Sequence, residues 1–205
     1  MKKRLRIVLS AVLCACLIGG MILVVEHFTK EPVIIGIIDT GLSSQAIPAD
    51  RILEGKNYLD PSLSVEDTYG HGTAVASVIL AHLPQAQFVP LVSNAYDRGK
   101  IKQVDNDTFA QMIRDAVDVY HCRIINLSVG LILDKTSVRE AVEYAEEKGV
   151  LVVASAGNDY ARDGEFIYYP AAYGTVFSVG SVNKEGTAVS DFSQRGDWVD
   201  IYACG

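Results

Sequence analysis

The run from Val33 to Ile38 carries no polar side chain and ends at Asp39, Thr40 and Gly41. An uninterrupted apolar run of this length predicts a strand buried on both faces, as in a parallel sheet, with its carboxylate delivered at the C-terminal edge. Residues 74–83 have the apolar content of a buried helix stopped by Pro84. Residues 88–92 read as a strand in which Pro90 favours an edge or irregular position. Phe109, Met112, Ile113, Ala116, Val117 and Tyr120 recur with the period of a helix that turns one stripe to the core, capped at Asp107 or Thr108. Residues 124–128 follow as a strand. Val138, Ala141, Val142 and Ala145 then repeat the helical spacing within residues 137–148, and Gly149 is the stop. Further strands are predicted at residues 150–154, 176–182 and 199–202. Strand and helix in alternation imply right-handed crossovers and a parallel sheet with helices on both faces.

Charge changes the picture at the N-terminus. Lys2, Lys3, Arg4 and Arg6 precede residues 7–25, which carry no charge, and Glu26 closes the run. As a helix this segment reaches about 28 Å, near the thickness of a bilayer's hydrocarbon core. Val25-Glu26-His27-Phe28 offers no small-residue cleavage site, so residues 1–30 read as a signal-anchor spanning the membrane. The basic flank stays cytoplasmic and residues 31–205 are expected outside, or secreted if the segment is cleaved. Those residues suit one α/β domain, and their 13 basic against 24 acidic side chains, a net of −11, disfavour nucleic acid and anionic lipid. Cys14 and Cys16 fall in the anchor, which leaves Cys122 and Cys204 as the one conceivable disulfide pair; no Cys/His spacing suits zinc.

Gly70-His71-Gly72-Thr73 follows Asp39 and stands directly before the apolar helix. A carboxylate paired with an imidazole is what a hydrolase uses to orient the ring and raise its basicity toward a nucleophile's proton. Ala154-Ser155-Ala156-Gly157-Asn158 ends a buried strand in small residues and presents an amide, a neutral donor able to face a developing oxyanion. Each piece alone has a plainer reading, as a turn cap, a loop histidine or a turn.

Together, in the order Asp, His, Asn, these stretches resemble the subtilisin-like serine proteases over about residues 33–205. The likeness rests on Ile37-Ile38-Asp39-Thr40-Gly41, Gly70-His71-Gly72-Thr73 and Ser155-Ala156-Gly157-Asn158, supported by Ile125-Asn126-Leu127-Ser128-Val129-Gly130 and Tyr169-Pro170-Ala171. The resemblance implies an α/β, three-layer fold with a mostly parallel sheet, and a peptide endohydrolase acting on peptide or protein substrates. In it Asp39 fixes the His71 tautomer, His71 moves the proton and Asn158 holds the oxyanion. Ser128, Val129, Gly130, Ala156 and Gly157 would line the substrate cleft. Tyr168 matches the base of the primary specificity pocket, where a bulky ring favours small side chains.

The resemblance also shows departures. The family's nucleophile follows Gly-Thr, and no Gly-Thr-Ser occurs in the sequence; Ser190 and Ser193 match a different block. The C-terminal part of the fold that carries it is therefore expected to be missing here, with a separately encoded C-terminal segment as one source. Ala74-Val75-Ala76-Ser77 replaces the family's usual second His and Gly, and the short connection from Leu83 to Phe88 leaves no room for its calcium loop. No metal or cofactor is expected. A second reading is a non-catalytic peptide-binding module. A remote third is a homodimeric aspartic protease, since Asp39-Thr40-Gly41 also fits that loop, though it leaves His71 and Asn158 without a role.

Overall fold

The computed structural model describes residues 31–97 and 99–205. The segment expected to anchor the chain, residues 1–30, lies outside them. Among the described residues no helix is long and apolar enough to cross a membrane.

The apolar run from Val33 becomes strand β1 (Ile34–Asp39), buried along nearly its whole length. It is flanked by β3 (Gln87–Val92) and β6 (Ile124–Leu127), and the sheet extends through β2 (Lys56–Asn57), β7 (Leu151–Ser155), β8 (Val176–Val182) and β9 (Ile201–Cys204). The order is β2-β3-β1-β6-β7-β8-β9 and every pairing is parallel. The chain moves outward from β1 to β3, then crosses back to β6 on the other side. Strand order reverses between β1 and β6, the place where an α/β sheet opens a crevice at its C-terminal edge.

Helix α1 (His71–His82) covers one face of the sheet around Ile35, Ile37 and Phe88. Helices α2 (Asn106–Asp118) and α3 (Thr136–Glu147) cover the other, over Ile38, Leu91, Ile125, Leu127, Val152 and Ala154. Of the predicted stripes, Phe109, Met112, Ile113, Ala116 and Val117 on α2 and Val138, Ala141, Val142 and Ala145 on α3 are buried, whereas Tyr120 lies past the end of α2 and is only half-buried. Gly149 ends α3 with φ 73°, a left-handed turn that only glycine takes at little cost.

Several boundaries differ from expectation. The cap of α2 is Asp105, whose carboxylate accepts from Thr108 N at 2.7 Å, rather than Asp107 or Thr108. The last strand is Ile201–Cys204, two residues later than predicted. Pro90 lies one strand in from the edge; its only outer neighbour is the two-residue β2, so the missing N–H leaves little pairing unmade. A hairpin of β4 (Asn94–Asp97) and β5 (Lys100–Gln103) was not foreseen. Cys122 and Cys204 are both free thiols. The first precedes β6 and the second ends β9, three strand spacings or roughly 14 Å away, twice what a disulfide spans.

Among the described residues the helices do not cover both faces completely. On the side of α1, β7, β8 and β9 present Leu151, Val153, Phe177, Val179 and Ile201 side by side, and Leu151, Phe177 and Ile201 are 47%, 38% and 45% exposed. Parallel sheets bury both faces in stable proteins, so this exposed strip departs from the rule.

The cap assignment is testable by urea denaturation. Asp105→Ala should lower stability by about 1 kcal/mol, whereas Asp107→Ala should change it by less than about 0.5 kcal/mol; equal losses would return the cap to Asp107.

Candidate active site

Parallel strands place their C-terminal ends together, and three neighbours, β1, β6 and β7, end in the residues singled out from the sequence. Asp39 is the last residue of β1, Ser128 follows β6, and Ala156, Gly157 and Asn158 follow β7. With about 4.8 Å between strands, the three ends share one edge about 10 Å wide. His71 comes to the same edge from the start of α1.

The central contact joins Asp39 to His71. His71 Nδ1 lies 2.7 Å from Asp39 Oδ1 and 2.9 Å from Oδ2. Asp39 is 2% exposed and also accepts from Thr40 N at 2.7 Å, while the His71 side chain is 46% exposed. A buried carboxylate thus holds one ring nitrogen, which takes the donor tautomer, and leaves Nε2 on the open side. The hydrogen bond that His71 donates to Asp39 raises the pKa of His71 above its usual value; burial opposes this, and the charges of Asp39 and Asp67 add to the rise.

The turn that carries His71 is held by a residue the sequence reading passed over. Asp67, 9% exposed, accepts from Tyr69 N and Gly70 N through Oδ1 (3.0 and 2.7 Å) and from Thr73 N and Thr73 Oγ1 through Oδ2 (2.9 and 2.7 Å). Gly72 N donates to Thr40 Oγ1 at 3.0 Å. The available signal was an acid three residues before a glycine that opens a helix, the pattern of an Asx turn.

The remaining predicted residues follow the ends of β6 and β7, with the Tyr168 ring against two of them. Gly130 and Gly157 face the two sides of the Tyr168 ring: a methyl group on Gly130 would lie 2.8 Å from Tyr168 Cδ1, and one on Gly157 2.6 Å from Cδ2. The Tyr168 hydroxyl donates to Asp159 Oδ2 at 2.7 Å, and burial with that bond pushes its pKa up to about 12. The ring is therefore pinned as a plug in the slot between the two strand ends. Val129 also lines a shallow pocket, open to solvent, with Leu131, Phe109, Asn94, Gln103 and Asn106. Asn158 is exposed just beyond. Ser190 and Ser193 lie beside the end of β8, engaged with Ser181 of that strand: Ser193 Oγ accepts from the Ser181 N–H at 2.8 Å, and the Ser190 and Ser181 hydroxyls are 2.7 Å apart.

A carboxylate, an imidazole and an amide at one sheet edge invite comparison with known proteins. The profile described as the subtilase family matches residues 30–205. The chain belongs to the subtilase family. It is 33% identical over 187 residues to subtilisin BL of Lederbergia lenta, covering 86% of this chain and 65% of that protein. To the thermophilic serine proteinase of Bacillus sp. (strain AK1) it is 31% identical over 178 residues, or 83% of this chain and 43% of the relative. Among solved structures, fervidolysin from Fervidobacterium pennivorans, a keratinolytic enzyme related to subtilisin, superposes with a TM-score of 0.72 at 28% identity, covering 86% of this chain and 29% of that one. This subtilase chain thus spans about half of the curated relatives it matches. The α/β, mostly parallel subtilisin-like fold expected from the sequence is the fold observed.

In this subtilase the raised pKa of His71 sets a sign. Its contribution to stability is fully present below about pH 6.5, the unfolded value, and is lost as the pH rises through the higher folded value. By nuclear magnetic resonance, His71 should titrate above its usual value, and Asp39→Asn should bring its midpoint down; an unchanged midpoint would mean that the carboxylate does not govern the imidazole.

Proposed function

We propose that this chain is part of a serine endopeptidase, holding the base, its orienting carboxylate and the oxyanion donor, and that a segment outside residues 1–205 brings the nucleophile. The observation that carries the reading is the 2.7 Å bond between buried Asp39 and half-exposed His71 at the strand-order reversal. In this reading a serine hydroxyl attacks the scissile carbonyl carbon and gives its proton to His71 Nε2. Asp39, bonded to Nδ1, stabilises the imidazolium that forms. The carbonyl oxygen becomes an oxyanion facing the Asn158 amide. The imidazolium returns its proton to the leaving amine, and water then releases the acyl group by the same steps.

The uncovered strip of Leu151, Val153, Phe177, Val179 and Ile201 supports a missing cover. A helix laid there would bury apolar surface that the sheet leaves in water, and would end close to His71. It belongs either to the continuation of this chain or to a separately encoded segment. Without it, residues 1–205 bind peptides along Ser128–Gly130 and Ala156–Asn158 but do not cut them. The Tyr168 plug confines the residue before the cleaved bond to small side chains. The basic flank and uncharged residues 7–25 support anchoring of the N-terminus in a membrane, with the peptidase domain outside the cytoplasm; the acidic domain disfavours nucleic acid.

The test is completion. The chain extended after Gly205 by the corresponding C-terminal segment of subtilisin BL should hydrolyse peptides with Ala before the cleaved bond and lose that activity on His71→Ala. The loss should be on the order of 10⁶-fold, the scale known for the triad of a subtilisin itself. In the completed protein Tyr168→Gly should raise kcat/KM for Phe over Ala by about 10- to 100-fold. A folded, completed chain that binds peptide without cutting it would favour the pure binding module.

A further inference from the structure

Helix α1 begins without a cap of its own. Its N-cap residue is Gly70, at φ 99°, which has no side chain to offer the free N–H groups of the first turn. Those groups are met from elsewhere: Gly72 N by Thr40 Oγ1 and Thr73 N by Asp67. Asp67 takes two further N–H groups, of Tyr69 and Gly70, and the Thr73 hydroxyl, so four donors converge on one buried carboxylate. Its own N–H donates to Leu42 O at 3.3 Å, and Leu42 N donates to Val65 O at 3.0 Å. These bonds tie the loop to the turn that follows Asp39.

The margin for movement at this turn is small. A methyl group on Gly72 would lie 2.3 Å from Gly41 O and 3.1 Å from Asp39 Cβ, so the first turn of α1 rests on the backbone beside Asp39. A tilt of that turn shifts the imidazole that Asp39 holds. We propose that Asp67 is a positioning residue for the chemistry at His71: its carboxylate replaces the missing helix cap and fixes the turn from which the imidazole reaches Asp39. A carboxylate suits the place, because it accepts all four donors and sits at the positive end of the helix. Burial alone would raise its pKa, and the bonds from Gly70 and Thr73 outweigh that and hold it below the usual carboxylate range. An amide in its place has one acceptor oxygen and turns an NH₂ toward N–H groups.

The inference rests on reading His71 as the base, but its test reads the imidazole directly and needs no nucleophile. The charged and titratable groups around His71 are Asp39 from β1, Asp67 from its own loop, and Tyr96 of β4, whose ring stacks on Tyr69 at 3.6 Å. The experiment is nuclear magnetic resonance of the ¹⁵N-labelled 205-residue chain, following the His71 titration and its Nδ1–H proton. Asp67→Asn, folded by circular dichroism, should lower the His71 midpoint by about half a unit or more and broaden or abolish the Nδ1–H signal. A midpoint and signal unchanged from the parent would overturn the proposal. If Asp67→Asn does not fold, the pair Thr73→Val and Thr73→Ser decides: the first should broaden the Nδ1–H signal and the second leave it sharp, whereas identical signals would overturn it. Failure here with intact peptide hydrolysis in the completed protein would leave the peptidase reading standing.

Discussion

The parallel alignment of β1, β6 and β7 is the constraint on which the rest of the molecule depends. Each strand is a short apolar run that has to be buried, and hydrogen bonding in register brings their C-terminal ends level. Asp39 is thereby placed at the edge of the sheet with its carboxylate 2% exposed, where it needs a partner for its charge. His71 is that partner, and the imidazole is in turn kept in one tautomer by the carboxylate. The same alignment brings the chain out of β7 toward Asn158 at the same edge of the sheet.

Much of this was legible because burial writes itself into sequence as a period. Strand β8 covers residues 176–182 as predicted, and the stripes of α2 and α3 are the buried residues named from spacing. What could not be read depended on tertiary partners. The β4 and β5 hairpin is built from Asn94, Lys100, Lys102 and Gln103 among others, with no apolar alternation to mark it. The choice of Asp105 over Asp107 as a cap turns on backbone angles at the helix start. Asp39 and His71 could be paired from their motifs, whereas Asp67 gains its part from where Thr40, Leu42 and Thr73 lie in space. Resemblance puts the ring of Tyr168 in a specificity slot; the two glycines against its opposite edges, and the Asp159 bond that pins it, come from the structure.

The fold is uneven in a way that bears on function. Below the sheet, α2 and α3 make a continuous core; above it, only the β1 and β3 side is roofed, by α1. On the proposal that a further segment covers the apolar strip and carries the nucleophile, burial of the strip and supply of the hydroxyl would be coupled. Without such a segment, exposed Leu151, Phe177 and Ile201 favour association with other apolar surfaces.

The most direct measurement is labelling of the purified 205-residue chain by a fluorophosphonate, which reacts with a serine activated by an adjacent base. A site complete except for its hydroxyl predicts a folded protein in which no serine is labelled. Labelling of any serine, Ser128 or Ser193 included, that disappears on His71→Ala would contradict it, because the nucleophile would then lie within the chain.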